Sequence, residues 1–251
     1  MATISSLGVL AVACFLPVAN PPARAAGSSQ NHGASVIELY TSQGCSSCPE
    51  ADKLLNRLAQ RPDIIALSFP VSYWDYLGWK DTLARPENSE RQRGYAKIFG
   101  DGEIYTPQAI VNGMQNCLGN SLPDIETAVK ATKPLAGREA VELSARVEGG
   151  RLVIEAGEAP PGSRHRNGRV LVAAVQRASK VKITRGENAG TDLTYTNVVR
   201  RLTEAGEWSG EPVSYSLPLN ALSQEGDQFV VFLQTGKLGP IVGAARVAGG
   251  S

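Results

Sequence analysis

The sequence predicts an α/β domain over residues 36–133 followed by a mainly β, sandwich-like domain over 134–251. Three observations predict it. Two short apolar runs, Val36 to Tyr40 and Asp63 to Val71, read as buried strands and flank a stretch with helical spacing. "YTPQAIVNGMQNCLG" reads as strand, Asn112-Gly113 turn and strand, and a helical "SLPDIETAVKATK" follows. After Pro134 the text changes to short alternating runs parted by Gly, Pro, Asn and Asp, which suggests roughly seven strands.

Element by element, the helix begins at Pro49, whose missing N–H is no loss in a first turn, and continues through Ala51, Leu54, Leu55, Leu58 and Ala59. A strand-helix-strand unit of this kind makes its two strands parallel neighbours. An insertion at about 72–100 then carries the aromatic turn of Tyr73, Trp74, Tyr76 and Trp79 and a polar helix from Glu87 to Phe99. Ser121 is placed to cap the last helix, with Pro123 in its first turn. Arg185 to Arg200 is polar and reads as a surface loop.

At 251 residues, with 25 Lys and Arg against 24 Asp and Glu, the chain has a net charge of +1. No broad field is available to attract nucleic acid or an anionic membrane. Leu7 to Val18 is apolar but too short to span a bilayer, and the small-residue run "ARAAG" follows it. It reads as a signal peptide over residues 1–26, with 27–35 as a linker. The alternative, a lipoprotein lipidated at Cys14, requires a larger aliphatic residue where Ala11 stands. Export implies a periplasmic or secreted protein without a membrane span, and it removes Cys14 to leave Cys45, Cys48 and Cys117.

Cys45 and Cys48 stand where the first strand feeds the helix, in "GCSSCP". The unpaired N–H groups and dipole of a helix N-terminus favour a thiolate, the form that attacks disulfides. This makes Cys45 the candidate nucleophile and Cys48 the resolving thiol. An inert staple would close almost no loop and gain little from it. Zinc needs two further ligands, and besides carboxylates the mature chain offers only Cys117, His32 and His165. No metal or other cofactor is therefore expected beyond a redox-active Cys45–Cys48 disulfide.

Thr106-Pro107 opens the hairpin strand, where a cis bond would free the preceding backbone to pair with an extended substrate beside the dithiol. Thr106, Trp74 and Tyr73 are the candidate groove residues, although large aromatics are more often core. Glu38 is a carboxylate in an apolar strand, seven residues before Cys45. Either it lies beneath Cys48 and relays its proton, or it is bound by a neighbouring backbone group or lysine. Cys117, past the hairpin, is expected to be a half-buried free thiol.

Strand, C-x-x-C at a helix start, strand, Thr-Pro, hairpin and helix resembles the thioredoxin fold. More narrowly, "ELYTSQGCSSCPEAD", "YWDYLGWKD", "YTPQAIVNG" and "RGENAGTDLTYTNVVR" resemble secreted bacterial thioredoxin-like proteins of the domain-of-unknown-function family twelve-twenty-three. The resemblance implies a histidine where this chain has Pro70, and it names no substrate. Thioredoxin-like copper chaperones use a downstream histidine, which residues 36–133 lack. The function expected is a thiol-disulfide oxidoreductase of the cell envelope. Its partners would be a cysteine-containing exported protein, or a small disulfide or thiol, and a redox partner protein. The alternative is a non-catalytic binding or adaptor protein.

Overall fold

Every residue of β2 (Ser35–Thr41) and β3 (Ile64–Pro70) is buried, as strands covered on both faces must be. The structure is a computed structural model and describes residues 28–29, 33–100, 102–222 and 226–247. The expected signal segment and most of the linker, with Cys14 and His32, lie outside the described residues.

The short β1 (Ser28–Ser29) precedes β2. α1 (Cys48–Ala59) joins β2 to β3, which pair in parallel, and a short 3₁₀ turn (Asp75–Leu77) leads to α2 (Pro86–Phe99). Pro86 opens α2 and Gly100, at φ +81°, ends it. β4 (Gln108–Val111) and β5 (Gln115–Leu118) form the hairpin, with Asn112 at φ 52° and Gly113 at φ 66° in its turn. These left-handed angles are what a two-residue turn requires. α3 (Leu122–Arg138) is capped by the Ser121 hydroxyl, which accepts from the Asp124 N–H. Then follow β6 (Leu143–Glu148), β7 (Arg151–Ala156), β8 (Gly168–Lys182), β9 (Asp192–Trp208), β10 (Val213–Pro218), α4 (Leu219–Leu222), β11 (Gln228–Thr235) and β12 (Ile241–Val247).

The expected architecture, a thioredoxin-like α/β domain followed by a separate β domain, is corrected by the sheet topology. Among the described residues one nine-stranded mixed sheet runs in the order β1-β12-β11-β8-β9-β3-β2-β4-β5, and β10-β7-β6 form a second sheet. β3 is not a free edge: Ser68 pairs with Val198 of β9, and Asn197 donates to the Ala66 carbonyl. A strand edge left open exposes a row of unmade hydrogen bonds, and here the C-terminal half supplies the cover. The core follows the sheet. Val36, Tyr40, Leu67 and Phe69 from the first half pack in one cluster with Leu171, Ala173, Val230 and Phe232 from the second, beneath Tyr95 of α2.

On the other face of β2 and β3, Ile37, Leu39, Ile64 and Ala66 meet Leu54, Leu55 and Leu58 of α1 and Ile125 and Ala128 of α3. Burying each of these leucines contributes about 1.5–3 kcal/mol. A third cluster sets Leu152 and Ile154 of the small sheet against Val170, Val172 and Val231. Strand alternation therefore puts residues 37 and 39 on the α1 face and residues 36, 38 and 40 on the α2 face.

Candidate functional site

β2 ends at Thr41, and the chain turns through Ser42 to Ser47 into α1. Two backbone bonds shape the turn, Cys45 N–H to the Ser42 carbonyl and Cys48 N–H to the Cys45 carbonyl, each at 3.2 Å. Trp74 packs so closely on Gly44 that a Cβ there would come within 3.1 Å of its own Cβ. Cys45 is 2% exposed and Cys48 is fully buried. Cys45, Cys48 and Cys117 are free thiols.

The sulfur of Cys45 lies 3.3 Å from Ser47 Oγ and 3.6 Å from the carbonyl oxygen of Thr106. The Thr106-Pro107 bond is cis, and the contact with the Thr106 carbonyl sets this dipeptide beside the dithiol. Hydrogen bonding from the Cys48 thiol first, and then from Ser47, lowers the Cys45 thiol from its ordinary 9.0 to about 5, against the opposing effect of burial. Cys48 moves the other way: burial, then its coupling to Cys45 and the nearby Asp52, push its thiol well above the ordinary range. Two cysteines three residues apart thus become one acidic and one reluctant thiol.

Asp52 is one helical turn beyond Cys48 and 4% exposed. Thr41 donates its hydroxyl to Oδ2 at 3.1 Å, while Oδ1 is buried with no partner among the described residues. Burial raises the Asp52 carboxyl well above the ordinary carboxylate range, and Asp81 and Cys45 add to the rise. The hydroxyl of Tyr195 is likewise buried and unpartnered, and the charges of Asp52, Asp81 and the two cysteines act on it.

The turn is held from two sides. Asp81 accepts from the Gln43 N–H at 2.8 Å, and Gln43 Oε1 accepts from the Trp79 indole at 2.8 Å. Asn188 donates to the carbonyl oxygens of Gln43 and Cys45, each at 2.9 Å, and Glu187 accepts from the Ser46 N–H at 3.2 Å. The Arg185 to Arg200 segment, expected as a surface loop, is corrected here. Its first part clamps the dithiol turn, and from Asp192 it is β9, with Tyr195 and Val198 buried.

Glu38 is placed away from the cysteines. On the α2 face it accepts from Arg91 Nε at 2.7 Å, Arg91 Nη2 at 2.9 Å and the hydroxyls of Tyr95 and Tyr40 at 2.7 and 3.0 Å. α1 packs on the opposite face, so strand alternation removes the expected proton relay from Glu38 to Cys48. The partner is an arginine 53 positions away rather than a neighbouring lysine. Tyr73 has its hydroxyl buried near Gln92 and Thr106 without a bond to either, and burial raises its pKa. Trp74 is partly buried against the α2-side core. Cys117 packs beside the α1-side core, where burial pushes its thiol up to about 11. Among the described residues no group of three or more His, Cys, Asp and Glu is placed to hold a metal.

Asn188, Gln43 and Asp52 went unread in the sequence. Only Asn188 carried a local signal, since Gly186 and Gly190 around it mark a tight loop.

Among known proteins, a crystal structure of a protein from Agrobacterium tumefaciens, determined in a structural genomics programme, superposes at a TM-score of 0.76. It is 34% identical, over 86% of this chain and 95% of that one. HBP35 of Porphyromonas gingivalis superposes at 0.59 with 10% identity, over 88% of this chain and 75% of that one, a likeness of fold alone. No curated protein matches. The family described as protein of unknown function (DUF1223) matches residues 36–234, and the chain belongs to that family.

Proposed function

We propose that the protein is a thiol-disulfide oxidoreductase of the cell envelope, with Cys45 as nucleophile and Cys48 as resolving thiol. The observation that carries this reading is the asymmetry of the pair. Cys45 is drawn down to about 5 by hydrogen bonds from Cys48 and Ser47, whereas Cys48 is held protonated by burial. A thiolate at neutral pH beside a thiol that ionises only when needed is the division of labour that exchange requires.

The Cys45 thiolate attacks one sulfur of a substrate disulfide, forming a mixed disulfide and expelling the other sulfur as a thiolate. Cys48 then loses its proton and attacks Cys45 Sγ. The Cys45–Cys48 disulfide forms, and the second substrate sulfur leaves as a thiolate. Two electrons pass from the dithiol to the substrate, and an external dithiol must return them; run backwards, the same steps oxidise a substrate dithiol. The substrate class is a cysteine-containing exported protein or a small disulfide. The Thr106 carbonyl, with Tyr73 and Trp74 nearby, is where an extended segment would lie.

The 2% exposure of Cys45 favours a second reading, a binding protein whose dithiol is only structural. Stopped-flow mixing of the reduced protein with a disulfide-containing peptide separates the two. Under the first reading Cys48→Ser traps a mixed disulfide on Cys45 and Cys45→Ser traps none. A folded wild-type protein whose Cys45 does not exchange over hours supports the second.

A further inference from the structure

α2, together with β8, β9 and the β11–β12 turn, bounds a cleft of about 840 Å³ on the sheet face opposite α1. That volume is in the range of pockets that enclose small molecules. The floor is apolar, formed by Phe69, Leu202, Leu238 and Ile98, and Ile98 is 52% exposed. Gly94 lets α2 settle onto this floor, because a Cβ at that position would meet Leu238 Cδ1 at 2.3 Å.

The rim is cationic. Eight arginine and lysine side chains line the cleft against two glutamates, Glu87 and Glu90, in a chain whose net charge is only +1. Of the eight, Arg91 is paired with buried Glu38 at 2.7 Å and Arg169 with Glu204 at 3.0 Å, and Arg85, Arg200 and Arg201 also interact within the protein. Arg93 and Lys97 on α2 and Lys237 across the cleft are exposed, and among the described residues no carboxylate lies within ion-pair reach of them. Arg93 and Lys97 are four residues apart on one helix face, a like-charge spacing that weakens the helix.

A surplus of positive charge around a recessed apolar floor is complementary to a compact organic anion. Cations on opposite sides of the cleft call for more than one acidic group, and an apolar floor edged by the exposed Ile98 calls for a non-polar body. We propose that this cleft binds a small organic anion with two or more acidic groups on an apolar body.

The test is calorimetric titration of the full chain with naphthalene-2,6-dicarboxylate, with 2-naphthoate and a hexaglutamate peptide as comparators. The expected result is saturable one-to-one binding of the dicarboxylate, weakened by added salt as charge screening requires. Arg93→Glu/Lys97→Glu should weaken it about tenfold or more, whereas Lys130→Glu, exposed on α3, should change it by less than about twofold. If the double variant does not fold, Lys237→Glu supplies the same comparison. Absence of saturable dicarboxylate binding overturns the proposal, as does equal weakening by Lys130→Glu. Binding of hexaglutamate alone also overturns it, since an acidic peptide would then be the ligand class.

Discussion

The side-chain amide of Asn188 donates at 2.9 Å to the carbonyl oxygen of Cys45, joining the loop between β8 and β9 to the dithiol turn across 143 residues of sequence. The same amide holds the Gln43 carbonyl, so Asn188→Ala takes a donor from each of two buried acceptors and leaves the Cys45 carbonyl with the Cys48 N–H alone. Such a loss costs roughly 1–3 kcal/mol. If it falls on the closed loop alone, it raises the open population about tenfold for each 1.4 kcal/mol. Alkylation of Cys45 by iodoacetamide should therefore speed up in Asn188→Ala by about that factor, with a modest fall in the denaturant midpoint. An unchanged alkylation rate would show that the loop does not cover the thiol.

Cys45 should titrate far below an ordinary thiol. The alkylation rate of the reduced protein is expected to be half-maximal near the lowered value of about 5 rather than near 9.0. Because the folded state holds this proton less tightly than the unfolded chain, the contribution of Cys45 to stability grows as pH rises from about 5 towards 9.0 and is lost as pH falls through about 5. Cys45→Ser should abolish that slope. Ser47→Ala, which removes the hydroxyl 3.3 Å from the sulfur, should move the alkylation midpoint upward. A midpoint near that of a free thiol would remove the asymmetry on which the redox reading rests.

Local chemistry was legible in the sequence and distant pairing was not. The leucines of α1, the Asn112-Gly113 turn and the Ser121 cap each depend on residues within a few positions of one another, and each stands where its pattern places it. The cis bond at Pro107 and the dithiol at the head of α1 belong with them. The bridge from Ser68 to Val198 has no such signature. A run of buried residues in β3 says that both faces are covered, not which strand lies along its edge, so the sheet was divided where the chain merely changes character. Glu38 shows the same limit. Its cost in an apolar strand was readable, but its partner comes from a helix packed on the face that alternation assigns to residue 38. Asn188 looks like any polar loop residue until the fold sets it against two buried carbonyls.

Glu38 and Arg91 therefore make a structural prediction. Their two-pronged pair is almost wholly shielded from water, and Gln234 of β11 accepts from the same guanidinium at 2.9 Å. The network ties β2, α2 and β11 together. Removing one partner strands a buried charge, so Arg91→Met should lower stability by about 3–5 kcal/mol, and Glu38→Gln/Arg91→Met should recover part of it. Denaturant unfolding measures both. Since the pair lies on the α2 face, the pH profile of Cys45 alkylation should match wild type in Glu38→Gln. A shifted profile would restore the link between Glu38 and the cysteines.

The carboxyl that does lie on the cysteine side is Asp52. Four residues beyond Cys48 on α1, it shares that helix face, and its buried Oδ1, which has no partner among the described residues, would take a proton leaving Cys48 only in the ionised fraction of the carboxyl. Burial holds its pKa above the ordinary 3.8. The folded state thus keeps a proton that the unfolded chain has released, and stability drains away as pH rises from about 4 through the raised folded value. Asp52→Asn removes this penalty while keeping the shape and the Thr41 contact. At neutral pH the variant should be at least as stable as wild type, with a flatter dependence of stability on pH. Its first exchange step, measured as alkylation of Cys45, should be nearly unchanged. Release of the mixed disulfide by Cys48 should slow by about tenfold or more, the scale on which a positioned proton acceptor acts. Single-turnover release of a thiol-labelled peptide from Cys45 reads that second step directly. Equal release rates in Asp52→Asn and wild type would make Asp52 a buried strain on the fold with no part in moving the Cys48 proton.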